Sequence, residues 1–564
     1  MKGAMSPQPR ATAQALYTAL YPTTTYHHNS GGEPADIPNL TYAQLREFHR
    51  RHYHPSNAIF MTYGDISAAE LQAEFERKVL HQFTAQPLEL AIGDEQRYPA
   101  PVSVTGRYAA QDSETQGKTA IILAWLLGYG GALDNLLEAS LLNAVLLDNS
   151  ASPLRQALET TALGSAPSTL CGLDSEMREM AFAAGLDGSD PEQADAVEAL
   201  ILATLEQVAQ DGVPQEQVES VLHQIELSQR EIPGDGFPYG LRLLVNLLSP
   251  VLHGGDAVAL LDLDAALAKL RAQIQDPDYI KSLVRRLLLD NPHRVRLVMA
   301  PDSELAAQQD TAEQERLAQL RAQLTPEAAQ AIVTQAAVLQ QRQQTPPDAD
   351  LLPKVGLTDI PAHLAIAEGE MLALSAGPTA FYPQGTNGLV YQQIIVPLPA
   401  LTAAEIDLLP LYTQLLTEVG ANGHDYLAMQ RLQAAVSGGI GASLSVRGGV
   451  TDTQQLQGFL VLSGKALARN QAALADLLAL TAQAARFDEL PRLRELVAQE
   501  RLHREEHVTQ SGHRLAMLAA ASGLGPYAAL AQRWQGLTGL QQLKQLDTTL
   551  DTPAVLEQLG VQLA

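Results

Sequence analysis

The segment His503-Arg504-Glu505-Glu506-His507 carries the clearest potential chemistry in this 564-residue chain. Two histidines four apart share one face of a helix, and the glutamate beside the second can point at a metal-bound water. That is the inverted H-x-x-E-H motif of zinc peptidases. The motif also needs a third ligand, a carboxylate on another helix well downstream, and only Asp547, Asp551 and Glu557 follow. Glutamate, arginine and histidine are ordinary residues for the wet face of a helix. We therefore read the match as a coincidence, and no residue is assigned a catalytic, cofactor-binding or metal-binding role.

Other candidates are weaker. His27, His28, His49, His52 and His54 crowd one stretch, and His49 and His52 could share a helix face. No carboxylate is spaced to complete a site, so a polar helix end beside a loop explains them as well. Cys171, the single cysteine, excludes an intrachain disulfide and a thiolate zinc cluster. Its Thr-Leu-Cys-Gly-Leu context offers no base, and it reads as a small core residue. Gly128, Gly130 and Gly131 lack the spacing of a phosphate cradle and read as a turn. No nucleophile-elbow text accompanies any Ser/His/Asp set.

Hydrophobic residues at 46% and charged residues at 18% describe an ordinary globular chain. A net charge of −26 argues against nucleic acid, whose phosphates need basic surfaces. It permits attraction to basic peptides, although acidic charge also simply keeps a large protein dissolved. No apolar run is long enough to cross a membrane. Met1 is followed by neither a signal nor an Arg-rich transit peptide, which gives a cytoplasmic expectation for the chain as it stands.

The elements that must position these residues read as α+β text. From Tyr21 to Asp65 a polar loop with Asn29-Ser30-Gly31-Gly32 leads through Pro34 and Pro38 to a cap at Asn39 or Thr41. A helix over Tyr42–Tyr53 follows, with Leu45, Phe48 and His49 on one side, and Ala58–Tyr63 is expected as a short buried strand. Ser67 caps a further helix from Ala68 to about Phe83. Between Tyr98 and Pro301 the pattern predicts strands at Val102–Tyr108, Thr119–Leu127, Met180–Leu186 and Arg294–Ala300. Helices are predicted at Leu133–Leu147, from Pro153, and at Glu192–Gln210, Gln215–Gln229, Leu241–Val251 and Ala257–Gln275. Asp302–Gln344, broken by Pro326, predicts a hairpin of two helices. Beyond a Pro/Asp linker, strands are expected at Leu364–Ala367, Glu370–Ser375 and Tyr391–Pro397, with a helix at Thr402–Val419. Ile440–Val446 and Leu456–Ser463 form a hairpin, and the text after Asn470 is helical. The division is 1–92, 98–301, 302–345 and 346–564.

Several motifs carry a specific resemblance. Pro22-Thr23-Thr24-Thr25-Tyr26-His27-His28-Asn29-Ser30-Gly31-Gly32, Ser152-Pro153-Leu154-Arg155, Asn291-Pro292-His293-Arg294-Val295, Asp359-Ile360-Pro361, Ser437-Gly438-Gly439-Ile440 and Ser511-Gly512-His513 occur in order, with Arg230-Glu231 and Gly236-Phe237-Pro238 between them. Together they resemble the pitrilysin/insulinase family of zinc peptidases, in its presequence-protease branch, along nearly the whole chain. The resemblance implies repeated insulinase-type α/β sandwich domains, a mixed sheet packed with helices, joined by the helical hairpin. It makes 1–92 the end of a first, catalytic domain, 98–301 a second and 346–564 a third, with a fourth absent. It implies a zinc endopeptidase that encloses unstructured peptides, targeting presequences among them, in a chamber. The family's zinc motif lies in the first domain, and its glutamate ligand directly precedes a segment like Met1-Lys2-Gly3-Ala4-Met5-Ser6. The expectation is therefore an internal piece, inactive and without zinc on its own, whose partners are peptide substrates and the missing terminal segments, not nucleic acid or membrane. Gln499–Met517 falls in the third domain, where the family binds no zinc. The alternative is a stand-alone, non-catalytic peptide-binding or scaffold protein.

Overall fold

The computed structural model describes residues 8–88, 90–110, 115–232, 237–364, 366–374 and 377–564. Two compact units are present. Among the described residues, one combines those within 1–108, 114–301 and 387–564, and the other those within 109–113 and 302–386. The segment Met1–Ser6, Gly236, Ala365 and Ser375, used above, lie outside the described residues.

The larger unit is built first on strands β1 (Val102–Ala109), β2 (Thr119–Tyr129), β3 (Ala166–Pro167), β4 (Gly172–Asp174), β5 (Glu179–Ser189) and β6 (Arg294–Asp302). Their order is β1-β6-β2-β5-β3, with β4 also on β5. β2 pairs antiparallel with both neighbours, so that Ile122 stands opposite Leu297 on one side and Gly185 on the other. Its unbroken apolar run follows from burial on both faces. Ile121, Leu123, Trp125 and Leu127 meet the helices Leu133–Leu147, Pro153–Thr160 and Ala194–Asp211. Ala120, Ile122, Ala124 and Leu126 meet Leu16, Leu20 and Tyr21, at and just past the end of the helix Gln8–Leu20. Gly185 is needed for the close approach of β5, because a Cβ there would sit 2.2 Å from the Ile121 carbonyl oxygen.

The N-terminal helix is fastened by polar groups. His293 is fully buried; its Nε2 donates to the Leu20 carbonyl at 2.9 Å and its Nδ1 accepts from Tyr98 N–H at 3.1 Å. The Glu95 carboxylate accepts from the N–H and hydroxyl groups of both Thr23 and Thr24. Tyr21 Oη donates to the Glu179 carbonyl at 2.8 Å.

Within residues 42–83 the two expected helices form and the expected strand does not. Thr41 caps the helix Tyr42–His52 through a reciprocal box with Gln44, and Ser67 caps Ala68–Lys78. Ala58–Tyr63 is not a strand, and Ile59, Phe60 and Tyr63 are exposed. Its apolar text meets no partner strand among the described residues, and an extended segment without a ladder has nothing to bury it. The helix expected at Ala257–Gln275 is two, Ala257–Leu261 and Leu263–Gln273, with Asp262 between them.

The smaller unit holds the helices Leu305–Ala322 and Pro326–Gln344, the second capped by Thr325. A two-stranded ribbon follows, β7 (Glu370–Leu374) against β8 (Gly377–Phe381). The strand expected at Leu364–Ala367 does not form among its described residues.

Back in the larger unit, β9 (Leu389–Pro397), β10 (Ile440–Gly448) and β11 (Leu456–Leu467) form an antiparallel sheet ordered β10-β11-β9. Leu411, Leu415, Leu462, Leu474, Leu493 and Val497 make its core with the surrounding helices. The succession β9, two helices, β10, β11 repeats the succession β2, two helices, β4, β5, and the pairing order is the same. The fold is α+β, with a repeated strand–helix–helix–strand–strand module.

Candidate functional site

The H-x-x-E-H residues lie on the helix Leu490–His507, as the spacing requires. His503 and His507 line a cleft of about 750 Å³, their ring centroids 4.4 Å apart. His507 Nδ1 donates to the His503 carbonyl at 2.7 Å, so that nitrogen is spent on the helix itself. Glu506 does not line the cleft. It is half-buried, and burial together with the charge of Asp187 pushes its carboxyl above the usual range. The charge of His507 pulls the other way, so the glutamate sits within reach of that ring's field but outside the cleft lining. Its neighbour Glu505 is ion-paired to Arg501 and Lys544, and Asp547, the first downstream acid, is clamped by Arg494 and Arg501. These groups do not fit a zinc ion. Among the described residues no group of three His, Cys, Asp or Glu is placed to hold a metal.

The N-terminal histidines are not gathered either. His27 Nδ1 donates to the Thr18 carbonyl, His49 stacks on Tyr53, His52 stacks on Phe48, and His54 Nδ1 accepts from Ser56 N–H. Cys171 Sγ exchanges hydrogen bonds with the backbone of Gly185, and burial pushes its thiol up to about 11. Gly130 and Gly131 form the turn after β2, whereas Gly128 lies within the strand.

A buried ionic cluster escaped the sequence reading. Arg492 lies at 3% exposure beside Glu495 (3.0 Å), Glu418 (3.3 Å) and Glu159 (3.8 Å), with its guanidinium 4.5 Å from the Tyr426 ring centre. Burial raises the carboxyls of Glu418 and Glu495, against the pull of Arg492. No sequence signal marks it, because its members come from four separate helices and turns. The cleft beside the motif also draws Arg447 from β10 and Arg514 from another helix.

The repeated module and two family matches define the class. The chain matches the "Peptidase M16 inactive domain" over residues 39–225, and over residues 299–546 it matches the associated region of the C branch of the M16 peptidases. It belongs to the M16 peptidase family. Its relatives include the mitochondrial presequence protease of Danio rerio, 29% identical over 99% of this chain and 55% of that protein. Presequence protease 1 of Arabidopsis thaliana, chloroplastic/mitochondrial, is 30% identical over 98% of this chain and 52% of its own length. Protein HypA of Clostridium perfringens is 23% identical over 93% and 55%. The chain spans about half the length of these curated relatives. Among the described residues no helix is long and apolar enough to cross a membrane.

Proposed function

We propose that the chain forms non-catalytic walls of a presequence-protease-type zinc endopeptidase, which encloses unstructured peptides in a chamber, and that alone it cleaves nothing. The match to the M16 inactive domain over residues 39–225 carries this reading. That Glu506 lies outside the lining of the cleft that holds His503 and His507 supports it, since a general base must reach the same space as the metal ligands. In this reading 1–92 completes a first domain, 98–301 is a second, 302–345 is a connecting hairpin and 346–564 is a third. Zinc would supply the water-activating Lewis acid in the first domain. The described residues of this chain would bind and enclose peptide, their acidic surface drawing basic segments at distances up to a Debye length. The cytoplasmic placement belongs to this proposal; the names of the two presequence proteases place those proteins in mitochondria or chloroplasts.

The test is peptidase assay of the purified chain on an unstructured basic peptide with added zinc, before and after supplying a presequence-protease segment that bears the zinc motif. Cleavage is expected after the addition alone, and chelator should remove it. Cleavage by the chain itself, lost in His503→Ala/His507→Ala, would overturn the reading.

A further inference from the structure

Six consecutive residues of β10, Ala442 to Arg447, line the 750 Å³ cleft. Neighbouring side chains on a strand point to opposite faces. A cavity touched by six in a row therefore runs along the strand's edge, and β10 is an outer strand of its sheet. The register fixes which backbone groups look into the cleft. Gly449 N–H donates to the Gln455 carbonyl and Lys465 N–H to the Gly439 carbonyl, so odd-numbered residues along β10 bond to β11. The N–H and C=O groups of Ala442, Leu444 and Val446 turn outward. Among the described residues these groups have no hydrogen-bond partner.

The facing wall carries His503, His507 and the exposed apolar residues Tyr527 and Leu537. The charge of the cleft as a whole is opposite to that of the molecule. Three arginines (Arg447, Arg504, Arg514) and one glutamate, Glu500, line it in a chain of net charge −26. The Glu500 carboxylate is occupied by Arg504 and Gln414. Arg514 meets the Gln535 amide, and neither it nor Arg447 has an acidic partner among the described residues.

We propose that this cleft docks an extended acidic segment of a partner protein, which adds as a strand to β10 with its carboxylates at Arg447 and Arg514. Backbone pairing supplies the affinity and the arginines select the sign of charge. The inference rests on strand register and cleft charge, and does not depend on the peptidase reading.

Fluorescence anisotropy of the full chain with a short labelled peptide of alternating glutamate and valine tests it, with the lysine–valine peptide as its counterpart. The acidic peptide should bind, more weakly at high salt, and the basic one should not. Leu444→Pro should abolish binding; its N–H points outward, so proline removes no ladder bond. The exposed double variant Arg447→Glu/Arg514→Glu keeps the test open should proline disturb the sheet, and should weaken acidic-peptide binding roughly tenfold or more. Equal binding of both peptides, no binding of the acidic one, or indifference to charge reversal would overturn the proposal. So would a chain dimer that Leu444→Pro dissociates, since a second copy would then be the occupant.

Discussion

Arg492 Nη2 donates to Ser150 Oγ at 3.1 Å across 342 residues of sequence, both side chains buried. The contact joins the helix after the second sheet to the turn between two helices of the first. Removing one member of a buried ionic set strands the others, at a cost of about 3–5 kcal/mol. Arg492→Met should lower the urea midpoint accordingly. Ser150→Ala, which removes one hydrogen bond to a charged donor, should cost about 1.5–3 kcal/mol.

The fastening of the N-terminal helix is pH-sensitive. Burial is the main cause holding the His293 imidazole below its usual range. Burial pushes Glu95 up, but the hydrogen bonds from Thr23, Thr24 and Gln96 outweigh it and hold the carboxyl low. Both folded values lie below the unfolded ones, so both contributions are present above the unfolded values and fade as pH falls through the folded ones. Histidine acts first, below about pH 6.5. Measured relative to the intrinsic exchange rate at each pH, amide protection over residues 8–21 should fall between neutral pH and pH 5, and His293→Ala should remove most of that dependence.

Zinc should not survive dialysis in stoichiometric amount, as read by elemental analysis of the purified chain. His503→Ala and His507→Ala should leave that result and the melting curve unchanged, because both rings lie at a solvent-open cleft. Metal retained by the chain and lost in His503→Ala would reinstate the motif as a site.

Cys171 should resist thiol reagents. With its thiol pushed up to about 11, the thiolate is scarce at pH 8. Labelling should be slower than for a free thiol by on the order of a hundredfold, and become rapid on denaturation.

Limited proteolysis should open the chain between residues 29 and 92. Leu45, Phe48, Ile59, Phe60 and Tyr63 are exposed there, whereas Leu16, Leu20 and Tyr21 are buried. Residues 8–28 should stay attached to the six-stranded sheet after the cut.

Much of the fold was legible because burial and period agreed. The helix Leu133–Leu147 falls on its predicted bounds, and the run from Thr119 is a strand as expected, its central place in the sheet being set by pairing. Ala58–Tyr63 misled because β propensity reports what a segment could bury, not whether a partner arrives. β3 and β4 are too short to carry a pattern, and Gly172 inside β4 reads as punctuation. At the site, spacing located the histidines on one helix face but could not say that Glu506 stays out of the cleft lining. The outward backbone of β10 has no signature in side-chain identity, because it is set by register.

The order β1-β6-β2 also bears on how the molecule is made. β1 and β2 are consecutive in the chain yet cannot touch, since the place between them belongs to β6. A ribosome that has finished Tyr129 must still reach Arg294 before that slot is filled. At about 5–20 residues per second the delay is roughly 10–30 s. Throughout it the nascent central strand has at least one unpaired side, and both until β5 is made, and a holdase bound at the β6 side would have to leave when β6 emerges.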